Sequence, residues 1–417
     1  MIISVPLSLI PANTPRIDPA ALPAAQVEGL YVHVPFCFHK CHYCDFYSIT
    51  QQPAERMAQF VDLVLAESDL WCGNEFAAPG AIGASTRTGP GVRPRTIFFG
   101  GGTPSLLPLE AMHRLLVGLR QRIDFSDTQE WTVEVNPATA ELDYCQMLRE
   151  MGVDRLSFGA QSFRPSELQI LERHHDPEDV PRTVEIARKA GFTRINVDLI
   201  YAIPGQDMES WSQSLQAAIS LGTPHISCYN LTYEPNTPMA VKKRLGRIIP
   251  VEEDVELQML HHARKALAGA GMPAYEISNY ARPGEECRHN LVYWTGGNYI
   301  GLGPSAASHV EGHRWKNRPH LSQWEDAISA GVVPAQDVEQ LSPMRRAGEL
   351  AMLMLRLSRG IRIDDFCAKT GRDPRELYSD QIARFAPAGL IDVTSDGIVL
   401  TERGVNVADA LAGEFLV

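Results

Sequence analysis

Short apolar runs and longer amphipathic segments alternate through the first two thirds of the chain. The short runs predict strands at residues 29–34, 96–99, 131–135, 155–158, 195–200 and 225–230. The longer segments predict helices at residues 54–70, 109–123, 140–151, 180–190, 208–221 and 251–271. This order is typical of βαβ units around a parallel sheet. It predicts an α/β fold with a partial (β/α)6 TIM-like barrel, and a doubly wound sheet is the competing arrangement.

Three other regions flank this barrel, which we place at residues 28–272. Residues 1–27 are rich in Pro and Ala and predict a loose N-terminal arm, and residues 74–94 predict a surface loop. Residues 273–342 have no clean period and predict a linking region. Residues 343–417 show helical spacing and then two apolar runs, which predicts a C-terminal winged-helix-like domain. Such domains often bind nucleic acid, but without a basic helix an accessory packing role is favoured.

The composition argues against several classes of protein. The 417 residues carry a net charge of −12, which does not suit an electrostatic nucleic-acid interface. No apolar run approaches the roughly 20 residues of a transmembrane helix, and the first residues lack the basic start of a signal peptide. Of the eight cysteines, three cluster and five are scattered, unlike a disulfide framework. These features predict a cytoplasmic protein whose clustered cysteines stay reduced.

The clustered cysteines are Cys37, Cys41 and Cys44, with the spacing C-x3-C-x2-C directly after the first strand. Three thiolates can hold a 4Fe–4S cluster and leave one iron open for a small molecule. A zinc site is the alternative, because His39 or His42 could supply the fourth ligand that structural zinc requires. A redox C-x-x-C pair would not need Cys37. The spacing favours an iron–sulfur centre and leaves zinc open.

Other candidate residues follow the predicted strands. Gly100, Gly101 and Gly102 precede Thr103, and consecutive glycines let a backbone approach a ligand, although a tight turn would use them equally. Three polar residues lie at or near the ends of later strands: Glu134, Gln161 and Asp198. In βα barrels the C-terminal edge of the strands carries the active site. Arg173 is close enough in sequence to reach this edge, with a surface salt bridge as the simpler role.

A second candidate segment runs from Cys287 to Trp294. His289 is a possible haem ligand, and the neighbouring aromatic residues suit a porphyrin face. A lone histidine beside aromatic residues is more often a hydrogen-bonded core residue. Both interpretations stay open on these residues alone.

Together these motifs resemble the radical S-adenosylmethionine (SAM) superfamily. The resemblance rests on the cysteine loop, with Tyr43 before its third cysteine, and on the segment Gly100 to Ser105. It implies a partial barrel in which Cys37, Cys41 and Cys44 ligate a 4Fe–4S cluster. It also implies a first SAM position lined by Tyr31, Gly101 and Glu134. A second SAM position would correspond to Gly102, Thr103, Gln161, Arg173 and Asp198.

Within the superfamily, six segments between Tyr31 and Ser308 resemble the coproporphyrinogen III oxidase-like branch. The oxidase has a cysteine two positions after the third cluster cysteine, where this chain has Phe46. The chain also carries an H-N-x-x-Y-W segment from His289 to Trp294. Both features resemble the HemW-type haem chaperones. That resemblance implies haem as cargo, with four candidate haem-binding residues: His289, Asn290, Tyr293 and Trp294.

The implied function is a radical SAM haem chaperone that passes haem to an acceptor haem protein. An electron donor would reduce the cluster, and the reduced cluster could cleave SAM to methionine and a 5′-deoxyadenosyl radical. One alternative is the oxygen-independent oxidation of coproporphyrinogen III to protoporphyrinogen IX. A second alternative is a non-catalytic zinc-bound scaffold. The radical SAM machinery is compatible with catalysis, and the chaperone role is favoured over the oxidase activity.

Overall fold

The structure is a computed structural model that describes residues 17–72 and 91–416. The strands among them are β1 (Gln26–Val34), β2 (Phe36–Cys37), β3 (Ile49–Thr50), β4 (Gly91–Gly101), β5 (Glu130–Val135), β6 (Arg155–Gln161), β7 (Arg194–Tyr201), β8 (His225–Asn230), β9 (Asn279–Ala281), β10 (Tyr299–Leu302), β11 (Ala307–Val310), β12 (His313–Asn317), β13 (Ala335–Gln340), β14 (Ile361–Arg362), β15 (Ile391–Val393) and β16 (Gly397–Leu400). Most of them join one large mixed sheet.

The helices surround this sheet or form the C-terminal part of the chain. They are α1 (Ala54–Cys72), α2 (Leu109–Arg122), α3 (Leu142–Glu150), α4 (Pro165–Leu171), α5 (Asp179–Lys189), α6 (Met208–Ser220), α7 (Pro238–Arg244), α8 (Glu253–Gly269), α9 (Arg288–Trp294), α10 (Leu321–Ser329), α11 (Pro343–Leu355), α12 (Ile363–Thr370), α13 (Pro374–Leu377), α14 (Ser379–Phe385), α15 (Glu402–Val405) and α16 (Ala408–Gly413). In the part of the chain described, no helix is long and apolar enough to cross a bilayer.

The central six strands, β1 and β4 to β8, are all parallel and lie side by side in chain order. Each pair is joined by a crossover that contains at least one helix, as the alternating pattern predicted. The prediction of an α/β partial barrel is therefore confirmed. Because parallel strands point the same way, their C-terminal ends form one edge of the sheet.

The sheet extends beyond these six strands on both sides. Strand β10 pairs in parallel with β1, and β11 to β13 continue from it as an antiparallel meander. Strand β9 closes the other side against β8. Residues 273–342, expected to be a linking region, thus contribute strands to the main sheet. Their short strands and Gly-rich turns give no clear periodicity, which explains why the sequence pattern missed them.

Two other predicted boundaries shift. Residues 1–16 and 73–90 lie outside the described residues, so most of the predicted arm and loop have no structural account. Within the predicted arm, Ile17 and Leu22 are buried against the main core. Strand β4 already begins at Gly91, inside the stretch predicted as a loop. The division into domains at residues 28, 273 and 343 stays a prediction.

The C-terminal residues form a second hydrophobic core, centred on helix α11 and Phe366, Tyr378 and Phe415. A three-stranded sheet in the order β14, β16, β15 completes this part. Strands β15 and β16, the two apolar runs of the sequence, pair antiparallel. Helices packed beside a small antiparallel sheet agree with the predicted winged-helix-like arrangement.

Side chains alternate strictly between the two faces of β5 to β8, as period-2 strands require. One face is polar: Glu130, Thr132, Glu134, Arg155, Ser157, Arg194, Asn196, Asp198, His225 and Ser227. The other face is apolar and belongs to the main core: Trp131, Val133, Val135, Leu156, Phe158, Ile195, Val197, Leu199, Ile226 and Cys228. The polar face therefore faces away from the helices and lines the interior of the partial barrel.

Glu67 on α1 ties the barrel to the added strands. Its buried carboxylate accepts hydrogen bonds from the Gly303 N–H at 2.7 Å, the Asn317 side-chain amide at 2.6 Å and the Trp324 indole at 3.0 Å. All three donors lie in the region that follows β10. Burial raises the pKa of Glu67 to about 8, and its hydrogen-bonded carboxyl group fixes the meander beside β1, the strand that leads into the cysteine loop.

Candidate cluster and cofactor site

Residues 36–50, here called the cluster loop, follow β1 at the C-terminal edge of the sheet. Cys37 ends β2, which pairs in parallel with β3. The N–H of Cys44 donates a hydrogen bond to the carbonyl of Cys41 at 3.2 Å. All three cysteines are free thiols and partly buried. The loop therefore presents three thiols within a short, locally hydrogen-bonded turn.

The surroundings of the cysteines suit metal-bound thiolates. The Thr103 hydroxyl lies 3.8 Å from the sulfur of Cys37, and the Arg173 guanidinium lies 3.8 Å from the sulfur of Cys41. Burial raises the pKa of Cys44 to about 12, so its thiolate needs a nearby positive charge. Cluster irons supply that charge, and the donors at Thr103 and Arg173 are placed to stabilise sulfur ligands. This donor set fits a 4Fe–4S cluster.

The spacing of the cysteines argues against a single zinc ion. In tetrahedral zinc sites with bonds of about 2.3 Å, the sulfur atoms lie roughly 3.8 Å apart. Within residues 17–72 and 91–416, the three potential ligand atoms found within 4.8 Å of one another belong to His39, Glu172 and His174, not to the cysteines. The three cysteine sulfur atoms are therefore not all within 4.8 Å of one another, an arrangement more open than a single zinc ion requires.

The glycine run packs directly on the cluster loop. The N–H of Gly102 donates to the Val34 carbonyl at 2.8 Å, and the N–H of Thr103 donates to the Phe36 carbonyl at 2.7 Å. A Cβ atom at Gly102 would lie 2.6 Å from the Phe36 oxygen, so only glycine allows this approach. Gly101 has a φ of 101°, in the region that favours glycine. The run therefore holds the loop onto the end of β4.

Two carboxyl groups face the same interior space near the cysteines. Glu134 accepts a hydrogen bond from the Gly101 N–H, while burial and then the charge of Asp198 raise the pKa of Glu134 to about 8. Asp198 accepts hydrogen bonds from Ser157 at 3.2 Å and Asn196 at 2.8 Å. At this pKa Glu134 is mostly protonated at neutral pH, and a bound ammonium group would favour its ionised form beside Asp198. The pair therefore suits the amino group of an amino-acid ligand such as SAM.

Tyr31 borders the same space from β1. Its hydroxyl lies 3.0 Å from Nδ1 of His33, and its ring lies 6.4 Å from that of Phe98. Burial, and then the neighbouring Glu134, raise the pKa of Tyr31 well above its usual value. The phenol is thus neutral and oriented by His33, which makes it a rigid wall of the site.

Gln161 and Arg173 meet at the end of β6. The Arg173 guanidinium donates to the Gly159 carbonyl at 2.5 Å, and a Cβ atom at Gly159 would lie 2.8 Å from the Gln161 amide nitrogen. Gln161 has a φ of 65°, an uncommon conformation for this residue that occurs often at functional sites. The structure thus brings both residues to the edge that holds the cysteines.

Tyr43 is a site residue that the strand-end argument missed. Burial raises its pKa, and Cys41, Arg173 and Asp198 are among the groups that act on it electrostatically. Within the cluster loop it therefore lies close to Cys41, Arg173 and Asp198. The feature of the sequence that could have identified Tyr43 is its position directly before the third cysteine.

The H-N-x-x-Y-W segment lies elsewhere, on helix α9 at the opposite edge of the sheet. The N–H of His289 donates to the carboxylate of Glu130 at 2.9 Å, and Glu130 begins β5. Glu134, beside the cysteines, is four residues further along the same strand, or about 13 Å. The structure therefore separates His289 from Glu134 and the cysteines, while Phe98 contacts both sets, with its ring 6.4 Å from that of Tyr31 and 5.3 Å from that of His289.

His289 is buried, and both of its ring nitrogens are occupied. Nδ1 lies 2.9 Å from the Thr96 hydroxyl and Nε2 lies 2.7 Å from the Tyr293 hydroxyl. The imidazole stacks on Phe98, with the ring centroids 5.3 Å apart. Burial lowers the pKa of His289 to about 4, so the ring is neutral. In this conformation His289 is a hydrogen-bonded core residue, the simpler role that the sequence left open.

The other haem candidates share this helix. Trp294 is buried under the guanidinium of Arg356, 5.1 Å from the ring centroid, while Asn290 and Tyr293 are partly exposed. Glu130 anchors the first turn by accepting from the N–H groups of Arg288 and His289. An open porphyrin-binding face is not formed by these side chains in the conformation described.

Comparison with known proteins identifies the family. Residues 31–218 match the family model described as Radical SAM superfamily, and residues 341–407 match the HemN C-terminal domain. The chain is 34% identical over 406 residues to "Heme chaperone HemW" of Mycobacterium tuberculosis (strain ATCC 25618 / H37Rv), covering 97% of this chain and 98% of the relative. It is 32% identical over 394 residues to the protein of that name from Bacillus subtilis (strain 168), covering 94% and 99%.

A solved structure supports the fold. Coproporphyrinogen III oxidase (HemN) from Escherichia coli superposes with a TM-score of 0.79 at 23% identity, covering 95% of this chain and 92% of that chain. The predicted resemblance to the radical SAM superfamily and to its haem-chaperone group is confirmed. The chain belongs to the HemW haem chaperone family of the radical SAM superfamily.

Proposed function

We propose that this protein is a haem chaperone that binds haem and delivers it to an acceptor haem protein, using a 4Fe–4S cluster and SAM. The observation that carries the proposal is the identity with proteins named "Heme chaperone HemW" over nearly the whole of both chains. Phe46, where the oxidase has a cysteine, and the segment from His289 to Trp294 support the same choice. The 4Fe–4S cluster and SAM follow from membership of the radical SAM superfamily.

Cys37, Cys41 and Cys44 are the proposed cluster ligands, which leaves one iron for SAM. When bound, the cluster supplies an electron to SAM. Thr103 and Arg173 stabilise the sulfur ligands through the 3.8 Å contacts described above. The protein's further contribution is a buried polar interior that orients SAM and excludes water.

The proposed SAM residues divide between two sides of the interior. Tyr31, Gly101 and Glu134 line the first position, where the buried Glu134 carboxylate receives the ammonium group. The second position uses residues from the ends of β4, β6 and β7: Gly102, Thr103, Gln161, Arg173 and Asp198. Gly102 is already paired with the cluster loop through its backbone, so its part is to bring Thr103 against Cys37.

Haem ligation by His289 requires a change in helix α9. Nε2 would have to exchange its hydrogen bond with Tyr293 for the haem iron, and the ring would have to leave its stack on Phe98. Asn290, Tyr293 and Trp294 would then be uncovered as the remaining contacts of the porphyrin. We therefore propose His289 as a ligand of an opened form of the segment.

Two partners complete the proposal. An electron donor reduces the cluster, and an acceptor haem protein receives the cargo, both in the cytoplasm. The surface of the chain, with its net charge of −12, does not favour nucleic acid as a partner.

Anaerobic reconstitution followed by haem titration tests the proposal. Wild-type protein is expected to contain about four irons per chain and to bind haem with a Soret band that changes on binding. Replacing the three cluster cysteines by serine should remove the iron. Absence of haem binding by the reconstituted wild type would refute the chaperone proposal.

The role of His289 needs a matched control, because His289→Ala removes a buried, doubly hydrogen-bonded ring. His225 is equally buried and is bonded through both nitrogens, to Asn196 at 2.6 Å and Tyr275 at 2.9 Å. His289→Ala should abolish the haem spectrum, while His225→Ala should retain it at a comparable loss of stability. Retention of haem by His289→Ala would show that another group is the ligand.

The same reconstituted protein can be given coproporphyrinogen III and SAM. We expect no protoporphyrinogen IX to form. Its formation in proportion to the SAM consumed would replace the chaperone proposal by the oxidase reaction.

A further inference from the structure

Three side chains that the proposed chemistry does not use converge beside the cluster loop. They are His39 on that loop, and Glu172 and His174 in the segment that follows helix α4. Their ligand atoms all lie within 4.8 Å of one another. The two imidazole rings meet edge to face, with centroids 4.4 Å apart. Two imidazoles and one carboxylate form a donor set typical of divalent transition metals.

The contact between His39 and Glu172 is too long for a hydrogen bond and suits shared coordination. Nε2 of His39 lies 3.7 Å from a carboxylate oxygen of Glu172, and this buried nitrogen has no hydrogen-bond partner among the described residues. Two ligand atoms bound to one ion at about 2.1 Å lie roughly 3.0–3.6 Å apart. The observed separation is close to that range, so small side-chain rotations would complete the site.

A neighbouring histidine is held out of this site. His42 also lies near Glu172, at 3.5 Å, but its Nδ1 is 2.9 Å from the ammonium group of Lys242. A lysine ammonium has only protons to donate, so the His42 nitrogen must act as the acceptor. Bound in this way, Nδ1 of His42 is not free to ligate an ion. The trio therefore offers three protein ligands, with the remaining positions open to water.

The trio is accessible to an ion from solution. The side chains of His39 and Glu172 are 38% and 37% exposed, and His174 is exposed. The three side chains are therefore partly open to solvent, while the ligating Nε2 of His39 is itself buried among its neighbours. The trio differs from a chance group of acidic side chains on a protein surface, because two of its three ligands are imidazoles and they come from separate segments.

We propose that His39, Glu172 and His174 form a site for a divalent transition-metal ion, separate from the 4Fe–4S cluster, that links the cluster loop to the segment after α4. Arg173 lies between two of these ligands and contacts the sulfur of Cys41 at 3.8 Å. A metal ion bound at this site would therefore restrain both the cluster loop, which carries Cys41, and the segment after α4, which carries Arg173. The site is independent of the proposed haem function, since none of its residues is a haem, cluster or SAM candidate.

Titration of the cluster-reconstituted full chain with Zn²⁺ under anaerobic conditions tests this site. Calorimetry should detect one Zn²⁺ per chain, and His174→Ala or Glu172→Gln should weaken binding by about tenfold or more. His113→Ala, which removes an exposed histidine on helix α2, should leave binding unchanged. Equal Zn²⁺ affinity in wild type and His174→Ala would overturn the proposal.

Two further measurements separate this site from the cysteines. Iron content should stay constant during the titration, because the ion does not compete for thiolates; loss of iron in step with Zn²⁺ uptake would refute a separate site. Hydrogen exchange in residues 38–43 should slow when Zn²⁺ is added to wild type and stay unchanged in His174→Ala. Unchanged exchange in wild type would overturn the proposed link between the two segments.

Discussion

Glu130 provides the sharpest test of how the H-N-x-x-Y-W segment is held. Its side chain is fully buried and accepts four contacts: Arg194 Nη2 at 2.8 Å, the backbone N–H groups of His289 at 2.9 Å and Arg288 at 3.0 Å, and the thiol of Cys287 at 3.5 Å. The carboxylate thus caps helix α9 and neutralises a guanidinium. Glu130→Gln keeps the size of the side chain and removes its charge.

The expected cost follows from these contacts. Removing one member of a buried ion pair destabilises a protein by about 3–5 kcal/mol, because the remaining charge stays buried without its partner. Here Arg155 is also buried and acts electrostatically on Glu130, which places the expected loss within that range. Arg194 keeps two further, more exposed partners, Asp154 at 3.0 Å and Glu285 at 3.1 Å, so the expected loss rests on the buried Arg155. Glu285→Gln is the matched control and should cost less than about 1 kcal/mol.

The assay is urea unfolding of the reconstituted protein at pH 7, followed by tryptophan fluorescence and circular dichroism. The unfolding curves from fluorescence and from circular dichroism must coincide, as expected for two-state unfolding, before free energies of unfolding are compared. A difference below about 0.5 kcal/mol between Glu130→Gln and wild type would refute the reasoning, because that is the range of ordinary surface substitutions.

The pH dependence gives an independent check. Burial opposes ionisation of Glu130, but Arg155 and Arg194 together hold its pKa below the usual value. The folded protein then binds fewer protons at this group than the unfolded chain does. Its stabilisation is present above the unfolded pKa of about 4.3 and is lost as the pH falls through the folded pKa. The stability gap between wild type and Glu130→Gln should therefore narrow on acidification, and a constant gap would contradict the assignment.

Three further predictions concern the fold and the cluster loop. Glu67→Ala should destabilise the protein by about 2–6 kcal/mol in urea unfolding, because it leaves the buried Gly303 N–H and Trp324 indole unpaired, whereas the Asn317 amide keeps its bonds to the Gly301 and Gly303 carbonyls; a loss below about 1 kcal/mol would contradict this. Gly102→Ala should lower the iron content after reconstitution, since its Cβ would lie 2.6 Å from a cluster-loop carbonyl, whereas Gly91→Ala has open space and should retain iron. Arg173→Ala should make the cluster lose iron faster in air than Arg173→Lys, which keeps a positive charge near the Cys41 sulfur; equal rates would contradict that role.

Much of the fold could be predicted because its signals are local. The six central strands were all predicted, and the predicted helices around them begin and end within about two residues of the observed ones. The spacing of apolar residues along the chain indicates which side of a helix or strand is buried. Alternating strands and helices can form a parallel sheet in only a few ways, because the crossover connections are right-handed. Helix α4 was missed because its seven residues are too short to establish a helical period.

The candidate site was predictable only in part. Cys37, Cys41 and Cys44 are identified by spacing within eight residues, and the glycine run by its composition. The sequence predicted that three residues meet at one edge of the sheet, because the C-terminal ends of parallel strands lie together. They are Glu134, Gln161 and Asp198. The geometry that decides their chemistry, such as the proximity of two carboxyl groups, depends on residues far apart in sequence.

The sequence by itself determined the superfamily motif, the alternation of strands and helices that implies a parallel sheet, and the residues that reach the C-terminal edge. The tertiary structure decided the position of His289, which motif reasoning assigned to haem and which the fold buries between Thr96 and Tyr293. It also decided that His39 meets Glu172 and His174. The physical reason is the same in both cases: hydrogen bonds and metal ligands act over a few ångströms, and only packing brings distant segments within that range.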